Sequence, residues 1–173
     1  MPKILPHHIN AARVGILPLS IEKAESIADE IFKNQPNLLA SVAVLTKFGV
    51  SNEELDIVIK LLFIIYVSVE NSGILLPLVT EDILEKCLIR LRGKILFTEG
   101  LNESSLEQAV SQQILSHAEP FLFGLCLEML KENDLADART EPLKMLILVA
   151  VNIVETVTYA LSNPHKALPK KSP

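Results

Sequence analysis

Two stretches of the chain carry almost no polar side chains. One is Leu61-Leu62-Phe63-Ile64-Ile65-Tyr66-Val67, the other Met145-Leu146-Ile147-Leu148-Val149-Ala150-Val151. Each follows directly on a lysine, Lys60 or Lys144, and 144 − 60 = 84. A helix that is apolar all round has to be surrounded, either by its own domain or by lipid. The pattern therefore predicts two central helices in an internally duplicated all-helical domain.

Around these runs the apolar positions fall on one face only. Ser20 is a good N-cap, and Ile21, Ala24, Ile27, Ala28, Ile31 and Phe32 follow at helical spacing. Pro36 opens the next helix, expected to bury Leu38, Leu39, Val42, Leu45 and Phe48 and to end at Gly49 in the left-handed conformation. Ser51-Asn52-Glu53-Glu54 is a capping box for the first apolar helix. Thr80 caps a further helix with Glu81, Asp82 and Glu85 early and Arg90, Arg92 and Lys94 late, matching the helix dipole at both ends. Its stripe is Leu84, Cys87, Leu88, Leu91 and Ile95, and Gly100 closes it.

The pattern then returns. Ser105-Leu-Glu-Gln-Ala repeats Ser20-Ile-Glu-Lys-Ala, Pro120 repeats Pro36 (120 − 36 = 84) and Lys131 repeats Lys47 (131 − 47 = 84). The expected architecture is all-α: a compact seven-helix bundle built from a duplicated three-helix unit. Its halves run over about residues 20–100 and 104–163, and the fourth helix links them. Residues 1–19, with Pro2, Pro6, Gly15 and Pro18, read as an N-terminal arm packing through Ile9, Val14, Ile16 and Leu17. Residues 164–173 read as a disordered tail after a single domain over 20–163.

Composition sharpens this. Hydrophobic residues make up 49% of 173 residues, with a mean hydropathy of +0.35, so the apolar excess needs a large core or an oligomer interface. No membrane span is expected. Asp56, Lys60, Glu70 and Asn71 bound the first run, while Glu141 and Lys144 precede the second and Asn152 and Glu155 break it. The first residues lack the apolar core of a signal peptide, so the expected location is cytoplasmic. Sixteen basic against 21 acidic residues give a net charge of −5, which argues against nucleic-acid binding. Cys87 and Cys126 sit among apolar residues and read as buried free thiols, not as a disulfide or a zinc site.

No motif supplies catalysis. Glu-x-x-His, HExxH, GxSxG, a phosphate loop and GxGxxG are all absent, so no catalytic residue, metal or cofactor is expected. The nine residues Lys47-Phe-Gly-Val-Ser-Asn-Glu-Glu-Leu resemble the turn of tellurite-resistance-type helical domains, which also have about seven helices in two pseudo-symmetric halves. That resemblance implies acidic metal sites. Phe48 stands where the family has aspartate and Glu132-Asn-Asp-Leu lacks the glycine, so no site is carried across.

The candidate ligand-binding residues are polar groups in the central helices. Asn152, Glu155 and Tyr159 share one helical face, and the offset of 84 places Ser68 on Asn152 and Asn71 on Glu155, with Glu70 and Tyr66 nearby. Convergence between the two central helices would make them a pocket lining. Solvent exposure is the competing and favoured expectation, because buried carboxylates are costly unless paired. The functional expectation is a non-enzymatic interaction or regulatory protein. It would self-associate as a homodimer, or bind another protein, through an apolar helical face. The alternative is a small-molecule binding module.

Overall fold

A computed structural model of the chain describes residues 1–98, 103–136 and 139–164, with the side chains of 95–98 and 103–107 not included. The described residues are all-helical. They form α1 (Pro6–Ile16), α2 (Ile21–Asn34), α3 (Pro36–Ala43), a 3-10 turn (Val44–Phe48), α4 (Asn52–Asn71), α5 (Glu81–Thr98), α6 (Glu103–Ser116), α7 (Pro120–Glu132) and α8 (Glu141–Ser162). Eight α-helices thus replace the expected seven. The closing of α5 at Gly100, the burial of Ile95 and the tail from residue 165 lie outside the described residues.

The extra helix is α1, where an irregular arm was expected. Pro6 occupies its first turn, where a missing N–H costs nothing, and Ile9, Ala12 and Ile16 recur at i, i+3 and i+7 and are buried. That face lies along α4. Val14 and Leu17, also expected to pack, are exposed because they fall off the stripe.

Local signals set most other boundaries. Ser20 Oγ accepts from the Lys23 N–H at 3.2 Å. Ser51 Oγ accepts from the Glu54 N–H at 3.3 Å while Glu54 Oε2 accepts from the Ser51 N–H at 2.8 Å, closing the capping box. Gly49 is left-handed with φ 78°. The core consists of α4 and α8 packed on each other, with α1 on α4, α5 on α8, and α3 and α7 touching both. Every residue from Leu61 to Tyr66 is buried, as all-round packing requires.

Among the described residues α8 alone is long and apolar enough to cross a bilayer, and 67% of its apolar window is buried within the fold. Ile21 and Phe32, expected on a buried stripe, are exposed, as α2 is covered chiefly by α3 and buries only Ile31. Phe48 is 45% exposed because the chain there tightens into the 3-10 turn and directs the ring outward.

Candidate functional site

The face shared by Asn152, Glu155 and Tyr159 is turned towards α5. Asn152 Nδ2 donates to the Leu84 carbonyl at 3.3 Å, Glu155 Oε1 accepts from Lys94 Nζ at 2.8 Å, and Tyr159 OH accepts from Lys86 Nζ at 3.2 Å. Tyr66 OH, by contrast, accepts from Asn34 Nδ2 at 3.0 Å, and Asn71 Nδ2 donates to the His8 carbonyl at 3.3 Å. The six candidate residues therefore do not meet between the central helices. Tyr66 and Asn152 are buried, as are the small polar residues Ser68 and Thr156, whereas Glu70 and Asn71 are exposed and Glu155 and Tyr159 half-buried.

Two separate polar clefts result. The first, of about 330 Å³, opens between α5, the end of α6 and α8, and is lined by Arg90, Lys94, His117, Glu155, Thr158 and Tyr159 among others. The His117 side chain is only 6% exposed and its ring stacks on Phe123 with centroids 4.9 Å apart. Its Nδ1 accepts from the Glu119 N–H at 3.1 Å, which leaves the ring proton on Nε2. That Nε2 has no hydrogen-bond partner and stops 3.8 Å from Glu155 Oε1; the buried Thr158 hydroxyl has none either.

The second cleft, of about 260 Å³, lies beside Tyr66 and Glu70. Desolvation, followed by the hydrogen bond and charge of Glu30, raises the Glu70 pKa above its ordinary value, although the residue is exposed. Burial raises the Tyr66 phenol as well, against the lowering effect of its Asn34 hydrogen bond.

A third concavity differs in kind. About 390 Å³ in volume, it is walled by Val44, Phe48, Leu84, Leu88, Met145 and Leu148, with Glu81, Glu85 and Arg92 on its edges. It lies between α5, the 3-10 turn and α8. The seam between α1 and α7 is bridged instead: Arg13 reaches Glu128 at 3.2 Å and Glu132 at 4.0 Å.

Two buried polar residues escaped the sequence reading. Gln35 Oε1 accepts from the Val79 N–H at 2.9 Å, and its Nε2 donates to the carbonyls of Leu76 and Pro77 at 3.1 Å. Glu119 accepts from the N–H groups of Lys3 and Ile4 at 2.9 and 3.0 Å. Gln35 thereby pins the segment entering α5, and Glu119 the segment entering α1. Both precede a proline, Pro36 or Pro120, which forces the residue before it out of the helical region. That repeated dipeptide was the available signal.

Both cysteines are free and buried. Burial raises the Cys87 thiol and pushes Cys126 up to about 12, so neither is a thiolate nucleophile. Among the described residues no group of three or more His, Cys, Asp or Glu side chains is placed to hold a metal ion. No family model, curated protein or solved structure matches the chain. The likeness of the Lys47–Leu55 turn to tellurite-resistance-type domains thus stays confined to that turn.

Proposed function

We propose that the chain is a non-enzymatic helical interaction protein that self-associates through the apolar groove beside α5. The observation that carries this is the palindromic order of side chains on that helix. Glu85, Leu88, Ile89 and Arg92 occupy one stripe, Ile89 is 62% exposed, and Leu88 continues the stripe into the groove of Val44 and Phe48. A two-fold axis passing between Leu88 and Ile89 sets two antiparallel α5 helices face to face. Glu85 of one copy then stands opposite Arg92 of its partner on both sides of an aliphatic centre. An isologous contact needs that self-complementarity.

An internal duplication supports the choice of groove. The proposed repeat unit is four helices, α1–α4 and α5–α8, in place of the expected three plus a linker. Buried Ile9, Ala12 and Ile16 correspond to Leu84, Cys87 and Leu91 (84 − 9 = 75), with Leu84 half-buried. Gln35, Leu38, Val42 and Leu45 correspond to Glu119, Leu122, Cys126 and Met129 (119 − 35 = 84). Left-handed Gly49 matches left-handed Asp134 (134 − 49 = 85). In the central helices the burial pattern fits best at 88, which sets Val58 on Leu146, Leu62 on Ala150 and Ser68 on Thr156 (156 − 68 = 88). Under these offsets Arg13, Glu128 and Glu132 occupy the places of Leu88, Val44 and Phe48. One half closes the seam with ions, and the other leaves it apolar.

Native mass spectrometry and sedimentation at micromolar concentration test the proposal. The expected result is a dimer, weakened in Glu85→Arg and in Arg92→Glu, where like charges face each other, and restored in the double variant. A strictly monomeric protein, or a double variant no better than the singles, overturns it.

A further inference from the structure

α5 has a second flank, and it is basic. Lys86, Arg90 and Lys94 follow at four-residue intervals and look away from the apolar groove, with Arg90 and Lys94 lining the first cleft. Among the lining residues Glu155 is the sole acid, and it is engaged by Lys94 at 2.8 Å. Arg90 forms no hydrogen bond or ion pair among the described residues. Among the described residues the cleft therefore holds two basic side chains against one acid, in a protein of net charge −5.

Its inner wall is more informative. Among the described residues, the buried His117 Nε2–H and Thr158 hydroxyl at the cleft have no hydrogen-bond partner, and Glu155 Oε1, engaged by Lys94, stands 3.8 Å from that Nε2. An unmade buried hydrogen bond costs about 1–3 kcal/mol, so two in one cleft point to a missing acceptor. Tyr159 contributes a third donor, because its oxygen accepts from Lys86 and its proton remains free. Three donors and a guanidinium lining one cleft match an oxyanion, and Arg is the side chain best shaped to take one through two parallel bonds.

We infer that the cleft between α5, α6 and α8 binds a small organic anion, its carboxylate or phosphate held by Arg90 and received by His117 Nε2–H and the Thr158 hydroxyl. About 330 Å³ is the size of a cleft for a metabolite of modest size. The site is independent of self-association, since it lies on the opposite flank of α5.

The test is an NMR titration of the His117 ring and Arg90 side-chain resonances in the full chain, with inorganic phosphate in one arm and citrate in the other. Saturable shifts in one arm identify the anion class; shifts in both mean that charge dominates over shape. Arg90→Gln should weaken binding about tenfold or more, the loss of one charge-assisted contact, while Lys60→Gln, on α4 and outside the cleft, leaves it unchanged. Thr158→Val separates binding from structure. Removing an unpartnered hydroxyl should raise the Tm of the free protein and still weaken the anion. No saturable shift with either probe, or equal affinity in Arg90→Gln and Thr158→Val, overturns the inference.

Discussion

The seam where α1 meets the end of α7 is closed by Arg13 between Glu128 and Glu132; the seam where α5 meets the 3-10 turn is lined by Leu88, Val44 and Phe48 and stays open. Both are places where a helix preceding the central one comes up against the end of a neighbour. The ionic seam is satisfied within one chain and gives a second molecule little to gain. Exposed ion pairs contribute only about 0–1 kcal/mol, and this one puts charged side chains at the seam in place of aliphatic ones. The apolar seam leaves aliphatic groups half-wet, and covering such groups returns about 25 cal/mol per Å². The difference between the two seams is thus a difference between a surface bridged within the chain and an apolar one that the proposed self-association would cover.

What the two sides share is the clamp that holds each flanking helix. Glu119→Ala is expected to have the largest effect, about 3 kcal/mol of destabilisation, since it strands the buried N–H of Ile4 and the N–H of Lys3 beside it. Gln35→Ala should follow at about 2 kcal/mol by loosening the Val79 N–H. Glu119→Gln should cost clearly less than Glu119→Ala, because the other side already uses glutamine there. Urea unfolding of the three variants checks the order, and equal losses for Glu119→Gln and Glu119→Ala would contradict the clamp.

Next in size is an exchange of seam chemistry. Leu88→Arg combined with Val44→Glu imitates the Arg13–Glu128 pair and should weaken self-association at least tenfold, about 1.4 kcal/mol, without loss of helicity by circular dichroism. An unchanged dimer would remove the groove from the interface. The reverse change, Arg13→Leu, should lower stability by less than about 1 kcal/mol, since Arg13 and Glu128 are both substantially exposed. A larger loss measured by urea melts would show that the ionic seam is structural in its own right.

The smallest effect belongs to Glu70. Its pKa lies above 4.5 in the folded chain, so the native state holds that proton more tightly than the unfolded one. The contribution to stability is complete below 4.5 and disappears as pH rises through the folded value. Glu70→Gln should flatten that decline. Wild-type and variant stability curves that remain parallel across the window would show that the desolvation of Glu70 and its crowding by Glu30 have no energetic consequence.

The sequence by itself determined the helix class and most helix ends. Ser20, Ser51 with Glu54, Gly49, Pro36 and Pro120 act through bonds spanning a few residues, so their geometry is written locally. It also marked α4 as a helix to be enclosed, and Leu61 to Tyr66 are buried throughout; the run in α8 was expected to be enclosed as well, but only Leu146, Ala150 and Val151 of it are buried, and Met145, Leu148 and Val149 line the open groove. It held the stripe of α1 too, in Ile9, Ala12 and Ile16, although prolines at either end made that segment look irregular.

Tertiary structure alone decided what each polar face meets. Asn152, Glu155 and Tyr159 share a face in the sequence, and only the packing of α5 on α8 turns that face toward Lys86 and Lys94 and away from α4. Phe48 is exposed, Gln35 and Glu119 reach segments more than forty residues away, and His117 is left with an unpaired proton for the same reason. Helix propensity and capping are settled within a turn or two, whereas the partner of a side chain across a seam depends on loop lengths and on which helix covers which, and those are properties of the assembled chain.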